Sequence, residues 1–206
     1  MSFAAWMGMT PLNPTLTCQV PVFYATSEGQ TRRIAERLAM VLREEGFDSR
    51  AIDVGDPAVA NINWTMVRGV LVGASLHRHE HQRSAAAFAR AHAAELNRRP
   101  SVFFSVSLSA ASHNPAEVEA AREIARAFPA AAGWQPHDVV TIAGCLAYSH
   151  YDFLTRLLMK HIARKEGAPT DTSHDYEMTD WAMVDRLGRD MAGLLRNVEF
   201  QAPRVA

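Results

Sequence analysis

Short apolar runs of strand length alternate along this chain with longer segments whose apolar residues recur every three to four positions, and that alternation restricts the fold more than any other feature. The order is β, α, β, β, α, β, α, β, α, α. Strands are expected at Cys18–Tyr24, Ser49–Val54, Gly69–Ala74, Ser101–Leu108 and Val139–Ala147. Gln30–Glu45 reads as a helix with Ile34, Leu38, Val41 and Leu42 on one stripe and Gly46 as its stop. Ser84–Asn97 follows with Ala85, Phe88, Ala89, His92 and Leu96 on one side. Asn114-Pro115-Ala116-Glu117 is a helix start, with Asn as cap, proline in the first position and Glu three residues after the cap; that helix is expected to run to about Ala127. Tyr151–Glu166 and Asp180–Arg196 are the last two helical stretches, separated by the polar segment Gly167–Glu177. Strands joined by helices of this length imply an α/β, doubly wound sandwich: a five-stranded parallel sheet with helices on both faces and right-handed crossovers. Pro21 lacks a ladder donor, so a bulge or an irregular start is expected in the first strand.

Composition narrows what such a sheet serves. With 48% hydrophobic and 21% charged residues over 206 positions the chain has the balance of a folded globular protein. A formal net charge of −1, from 21 basic and 22 acidic residues, gives no general attraction to nucleic acid or anionic lipid. Cys18 and Cys145 form no C-x-x-C pair, which fits a reducing cytoplasm and suggests neither a disulfide framework nor a thiolate metal site. The longest apolar runs fall short of the ~20 residues of a spanning helix. Met1–Thr17, whose first following charge is Glu28, reads as a flexible N-terminal extension, and residues 18–200 as one domain.

In sheets of this kind ligands bind outside the carboxyl ends of the strands, so the loops after the strands carry the functional reading. The first is Thr26-Ser27-Glu28-Gly29-Gln30-Thr31, a hydroxyl-rich loop entering a helix. Backbone N–H groups and the positive end of the helix dipole there suit a phosphate, and Gly29 permits close approach. The loop lacks both G-x-G-x-x-G and G-x-x-x-x-G-K-[ST], which argues against dinucleotides and nucleoside triphosphates and leaves a monophosphate such as that of FMN; an ordinary helix start is the plain alternative. The third strand ends in Gly73-Ala74-Ser75-Leu76-His77-Arg78-His79-Glu80-His81, dense in groups able to contact a flavin ring. Ser107-Leu108-Ser109-Ala110-Ala111-Ser112-His113 and Gly144-Cys145-Leu146-Ala147-Tyr148 supply the other walls. His77, His79 and His81 invite a metal reading, but no nearby cysteine completes a zinc set, and no metal is expected. His92 reads as a packed histidine and Cys145 as a small core residue. Tyr151–Glu166 carries both lysines, Lys160 and Lys165, beside an apolar stripe, a pattern that suits packing on the domain or contact with a membrane surface.

These loops, in this order, resemble the flavodoxin-like, menaquinone-dependent protoporphyrinogen oxidases of the HemG type. Thr26–Thr31 is similar to the family's T-x-D/E-G-Q-T, Gly73–Leu76 to its G-A-S-I, Ser105–Leu108 to its S-V-N-L and Ala143–Tyr148 to its A-G-x-L-x-Y. Leu158-Met159-Lys160 falls in its helical insertion, and Thr170-Asp171-Thr172 with Thr179-Asp180-Trp181 resembles its T-D-T…T-D-W. The chain differs where the family has R-Y-G after G-A-S-I and R-Y-P-R-Y after the fifth strand: it reads His77-Arg78-His79 and Ala147-Tyr148-Ser149-His150-Tyr151.

The resemblance implies strand order 2-1-3-4-5, an extra helical insertion near the C-terminus, FMN as cofactor, and oxidation of protoporphyrinogen IX to protoporphyrin IX with a quinone acceptor in haem biosynthesis. Cofactor contacts are then expected from Thr26, Ser27, Glu28, Gly29, Gln30, Thr31, Ala74, Ser75, Leu76, His77, Ser107, Leu108, Ser109, Gly144 and Leu146. A base is expected among His77, His79 and His113, because imidazole titrates near neutrality. The further expectations are a cytoplasmic protein that touches the inner face of the cell membrane through residues 151–166, a homodimer, and no nucleic-acid partner. Competing readings are a flavodoxin-type electron carrier, an FMN-dependent quinone reductase with another substrate, and a partner-binding module without catalysis.

Overall fold

Apolar runs flanked by helices pair side by side, because strands buried on both faces need no alternating polar positions. The computed structural model describes residues 18–146 and 176–198. In chain order the elements are β1 (Val20–Ala25), α1 (Gln30–Glu44), β2 (Ser49–Asp53), β3 (Val70–His77), β4 (Glu80–His81), α2 (Arg83–Asn97), β5 (Ser101–Ser107), α3 (Pro115–Ala131), β6 (Asp138–Ala143), β7 (Cys145–Leu146), β8 (Tyr176–Glu177) and α4 (Trp181–Asn197). The main sheet runs β2-β1-β3-β5-β6, all parallel, which is the expected order once the short strands are set aside.

Two apolar layers hold the helices to the sheet. On one face Ile34, Leu38 and Leu42 of α1 and Val184, Leu187, Met191 and Leu195 of α4 pack on Val22, Leu71, Phe104 and Ile142. On the other, Ala85, Phe88, Ala89 and Leu96 of α2 and Ala125 of α3 pack with Phe23, Val72, Phe103 and Trp134. Each fully buried phenylalanine contributes about 1.5–3 kcal/mol of transfer free energy. Gly73, opposite Phe104 in the β3–β5 register, is required there: a Cβ would collide with the Phe104 ring.

Four boundaries differ from expectation. No bulge interrupts Pro21; its register with β2 is continuous through Val20↔Ser49, Pro21↔Arg50 and Val22↔Ala51. Pairing with β3 begins only at Val22↔Leu71, so the absent donor falls at the mouth of the ladder. β3 continues past Ala74 to His77 and folds back through Arg78 and His79 into β4, with Leu76↔His81 and His77↔Glu80 in register, so a segment expected as a loop is a hairpin. α3 extends to Ala131, with Pro129 buried in its last turn. The fifth parallel strand stops at Ala143, and after Gly144 the chain leaves the sheet as β7, which pairs antiparallel with β8. The Tyr151–Glu166 helix, the Met1–Thr17 extension and Thr170-Asp171-Thr172 lie outside the described residues.

Candidate functional site

The carboxyl edge of the sheet gathers the ends of β1, β3, β5 and β6. After β1, Gly29 takes φ 90, a left-handed conformation that costs glycine nothing, and so turns the chain into α1. Its N–H donates to Thr26 Oγ1 at 2.9 Å, which leaves the Thr26 hydroxyl proton free to donate onward. The first backbone bond into the helix is Arg33 N–H to Gly29 C=O. The N–H groups of Gln30, Thr31 and Arg32 precede it, no side chain caps the helix, and no acidic residue sits in its first turn. Thr31 is fully buried, and its Oγ1 has no hydrogen-bond partner among the described residues. First-turn donors that no described side chain caps, beside a buried hydroxyl, can hold an anion.

The β3–β4 hairpin forms the next wall. Ser75 is buried, Leu76 half-buried and His77 exposed. Arg78 and His79 take φ 50 and φ 65, so the two-residue turn has positive φ at both positions without glycine or asparagine. His81, at the foot of the hairpin, turns inward. Its Nε2 lies 2.9 Å from Ser105 Oγ, and its ring packs on Phe103 and Phe128 with centroids 5.3 and 4.7 Å away. Burial lowers its pKa to about 4, so the imidazole is neutral at physiological pH. Gln82, the residue between β4 and α2, donates from Nε2 to Ser75 Oγ and to Ser27 Oγ, the latter at 3.2 Å, and joins this wall to the first loop.

After β5, Ser107 is buried and accepts from Ala110 N–H, while Leu108 and Ser109 open a single 3-10 turn, Ser109–Ala111. Asn114 caps α3 through Ala116 N–H, as expected. Gly144 is buried with both backbone groups in use: its N–H donates to Ser107 C=O, and its C=O accepts from Met178 N–H.

A hydrogen-bond network closes one side of this edge. Gln30 Nε2 donates to Glu177 Oε1 at 2.7 Å and to Thr179 Oγ1 at 2.8 Å, and Gln30 Oε1 accepts from Arg33 Nη1. Arg33 also pairs with Glu177 Oε2 at 2.8 Å. Thr179 Oγ1 donates to Ala143 C=O at 2.7 Å. Asp180 caps α4 by accepting from Met183 N–H, and Trp181 lies under the Arg33 guanidinium, 5.6 Å from ring to carbon.

The expected site residues thus separate into groups. Thr26, Ser27, Glu28, Gly29 and Thr31 share the first loop; Ser75 and Leu76, Ser107 to Ser109 and Gly144 stand at the neighbouring strand ends. The Gln30 side chain is fully engaged by Glu177, Thr179 and Arg33, so only its backbone N–H remains for a ligand. Ala74 packs in the apolar layer between Ala25 and Ser105, below the edge. Leu146 contributes its backbone to β7. His77, His79 and His113 are all exposed, and their imidazoles have no hydrogen-bond partner among the described residues, the first two lying on the hairpin and the third just before α3. His92 packs on Trp64 and Phe88, and Cys145 is half-buried on β7. Among the described residues no cluster of three or more His, Cys, Asp or Glu side chains is placed to hold a metal, and no helix is long and apolar enough to cross a membrane. Gln82, Glu177 and Thr179 are not among the expected contacts, and of these only Thr179 had a sequence signal, as part of the T-D-W run; His81, read in sequence only with His77 and His79, turns out to be the inward one.

A parallel sheet in this order, with the first strand's loop feeding a helix start, defines a flavodoxin-like protein. Solved structures agree: a flavodoxin of Streptococcus pneumoniae TIGR4 matches with TM-score 0.51 at 13% identity, over 85% of this chain and 98% of that one. A flavodoxin mutant from Pseudomonas aeruginosa also gives 0.51, at 11% identity over 86% and 99%. The family model described as Flavodoxin domain matches residues 21–173, and the chain belongs to that family. Within it the sequence is similar to the protein named protoporphyrinogen IX dehydrogenase (quinone) of Escherichia coli strain K12, 34% identical over 174 residues, 84% of this chain and 94% of that protein. The protein of the same name from Leishmania major is 31% identical over 175 residues, 84% of this chain and 74% of that one.

Proposed function

We propose that this chain is an FMN-dependent oxidoreductase that oxidises protoporphyrinogen IX to protoporphyrin IX and passes the electrons to a quinone. The observation that carries the reading is the 34% identity to a protoporphyrinogen IX dehydrogenase (quinone) across nearly that protein's whole length. The first loop fits the FMN phosphate on its own chemistry: three first-turn N–H groups, the Thr26 hydroxyl proton and the buried Thr31 hydroxyl, which has no partner among the described residues, are donors suited to a dianion. Ser75, Leu76, Ser107, Leu108, Ser109 and Gly144 would border the ring. FMN, when bound, supplies two-electron acceptance from the substrate and return of those electrons to the quinone.

The chain's own part is to orient the substrate and to take up protons. His77, His79 and His113 are exposed imidazoles available for the proton lost with each oxidation, one of them serving as base. The Arg78 guanidinium at the hairpin tip, without an ion-pair partner among the described residues, offers a substrate propionate a charged donor where the family's R-Y-G is missing. A quinone acceptor is a membrane species, and the basic stretch Tyr151–Glu166 supports a cytoplasmic protein that meets the membrane peripherally.

The test is anaerobic oxidation of protoporphyrinogen IX by the FMN-supplemented protein with a menaquinone analogue, followed by porphyrin fluorescence against heat-inactivated protein. Quinone-dependent porphyrin formation above that control is expected. Tight FMN binding with no porphyrin formed would make the chain an electron carrier or a quinone reductase with another substrate.

A further inference from the structure

Among the described residues the T-D-W run is a family-like motif that the proposed reaction leaves without a task, and the network around it supplies one. We infer that Thr179, acting through Gln30, is a positioning residue that sets the first turn of α1 for the cofactor's phosphate. The inference rests on the FMN reading above.

Three observations carry it. Gln30 is the first residue of α1, so its own N–H and those of Thr31 and Arg32 form the anion-facing turn. Its side chain spends both amide protons and its carbonyl on Glu177, Thr179 and Arg33, and is 8% exposed. Thr179, equally buried, receives one of those protons and hands its own to Ala143 C=O at the end of β6. A single hydroxyl thus joins the phosphate-side helix after β1 to the end of β6, across β3 and β5 of the sheet order. Donor and acceptor alternate along the chain Gln30 N–H, Thr179 O–H, Ala143 C=O, so removing the hydroxyl cuts the tie between Gln30 and β6 while Glu177 and Arg33 still hold the Gln30 side chain. Asp180 and Trp181 complete the run's purpose: the first starts α4 and the second seats Arg33, which itself holds Gln30.

The experiment compares Thr179→Val, which keeps the shape and deletes the hydroxyl, with Thr179→Ser, which keeps the hydroxyl. Far-UV circular dichroism checks that both are folded, and equilibrium titrations of the full chain with FMN and with riboflavin are read by flavin fluorescence. Thr179→Val is expected to weaken FMN about tenfold while riboflavin, which lacks the phosphate, stays within about twofold, and Thr179→Ser is expected to restore FMN binding. Unchanged FMN affinity in Thr179→Val overturns the inference alone. Equal losses for FMN and riboflavin, or a Thr179→Ser as weak as Thr179→Val, overturn it too, because general packing and not the hydroxyl would then be responsible. Wild-type protein that takes up no FMN would overturn the functional reading itself.

Discussion

The loop after β1 and the hairpin after β3 sit side by side on the same sheet edge and are built in opposite ways. In the first, the groups that face the strand ends are backbone donors and the hydroxyls of Thr26 and the buried Thr31, while the long side chains nearby, Gln30 and Arg33, are bound to one another and to Glu177 and Thr179. In the second, the foot is fixed by His81 against Ser105, Phe103 and Phe128, and the tip carries His77, Arg78 and His79 into solvent. Holding a cofactor phosphate calls for donors that do not move, since each would otherwise have to be ordered on binding. Meeting a substrate that arrives and leaves calls for charge in the open on a short, stiff support.

The hairpin's foot is where that contrast breaks with the largest effect. His81 is held neutral in the fold, with its pKa lowered from 6.5 to about 4 by burial. Below pH 6.5 the unfolded chain binds a proton that the native chain does not, so stability falls as pH drops from there toward 4. The full loss is about 3 kcal/mol. Replacing His81 with Asn keeps a polar partner for Ser105 and removes the titration. Urea unfolding at pH 7 and pH 4.5 should show a wild-type stability loss that is smaller in His81→Asn by about 2 kcal/mol or more; parallel pH slopes would mean that the imidazole opens to water.

The sequence made one of these two regions readable and obscured the other for identifiable reasons. The parallel sheet, the stripe of α1, the Asn114 cap and the loop Thr26–Thr31 at a helix start were all legible, because period, cap chemistry and a glycine directly before a helix are local signals. The hairpin was not. Its turn is Arg78-His79, with none of the Asn-Gly chemistry that marks such turns, so the sequence pattern ends strand β3 at Ala74. His81 was indistinguishable from its exposed neighbours His77 and His79, since only tertiary contact with Phe103 and Phe128 decides which imidazole turns inward. The β7–β8 ribbon pairs two residues with two others some thirty positions away, too short a match for any pattern to show. Gln30 belongs by sequence to the loop Thr26–Thr31, but its side chain answers to Thr179, 149 positions later.

The first loop gives the next effect. Thr31→Val deletes a hydroxyl that is buried without a partner among the described residues, so the cofactor-free protein should keep its stability or gain some, while FMN affinity falls about ten- to hundredfold, the cost of one hydrogen bond to a charged group. Thermal unfolding with and without FMN, beside a fluorescence titration, reads both. A variant that loses stability without FMN and keeps its affinity would show that Thr31 serves the helix and not the anion, and the contrast between the two regions would lose its first half.

The smallest effect lies in the turn, and it separates fold from function most sharply. Arg78 and His79 occupy backbone conformations that Asn and Gly adopt with little strain, so the double change Arg78→Asn, His79→Gly should raise stability by about 1–2 kcal/mol. Urea midpoints measure it. The same change strips the tip of its guanidinium and one imidazole while leaving the Thr26–Thr31 loop untouched, so FMN affinity should hold within about twofold. If strain at the tip is kept because the tip meets the substrate, the gain in stability comes with a higher KM for protoporphyrinogen IX, as expected when a carboxylate loses a charged hydrogen-bond donor. A stabilised variant with unaltered KM would move the substrate's carboxylates away from this hairpin and leave its exposed charge without a part in the reaction.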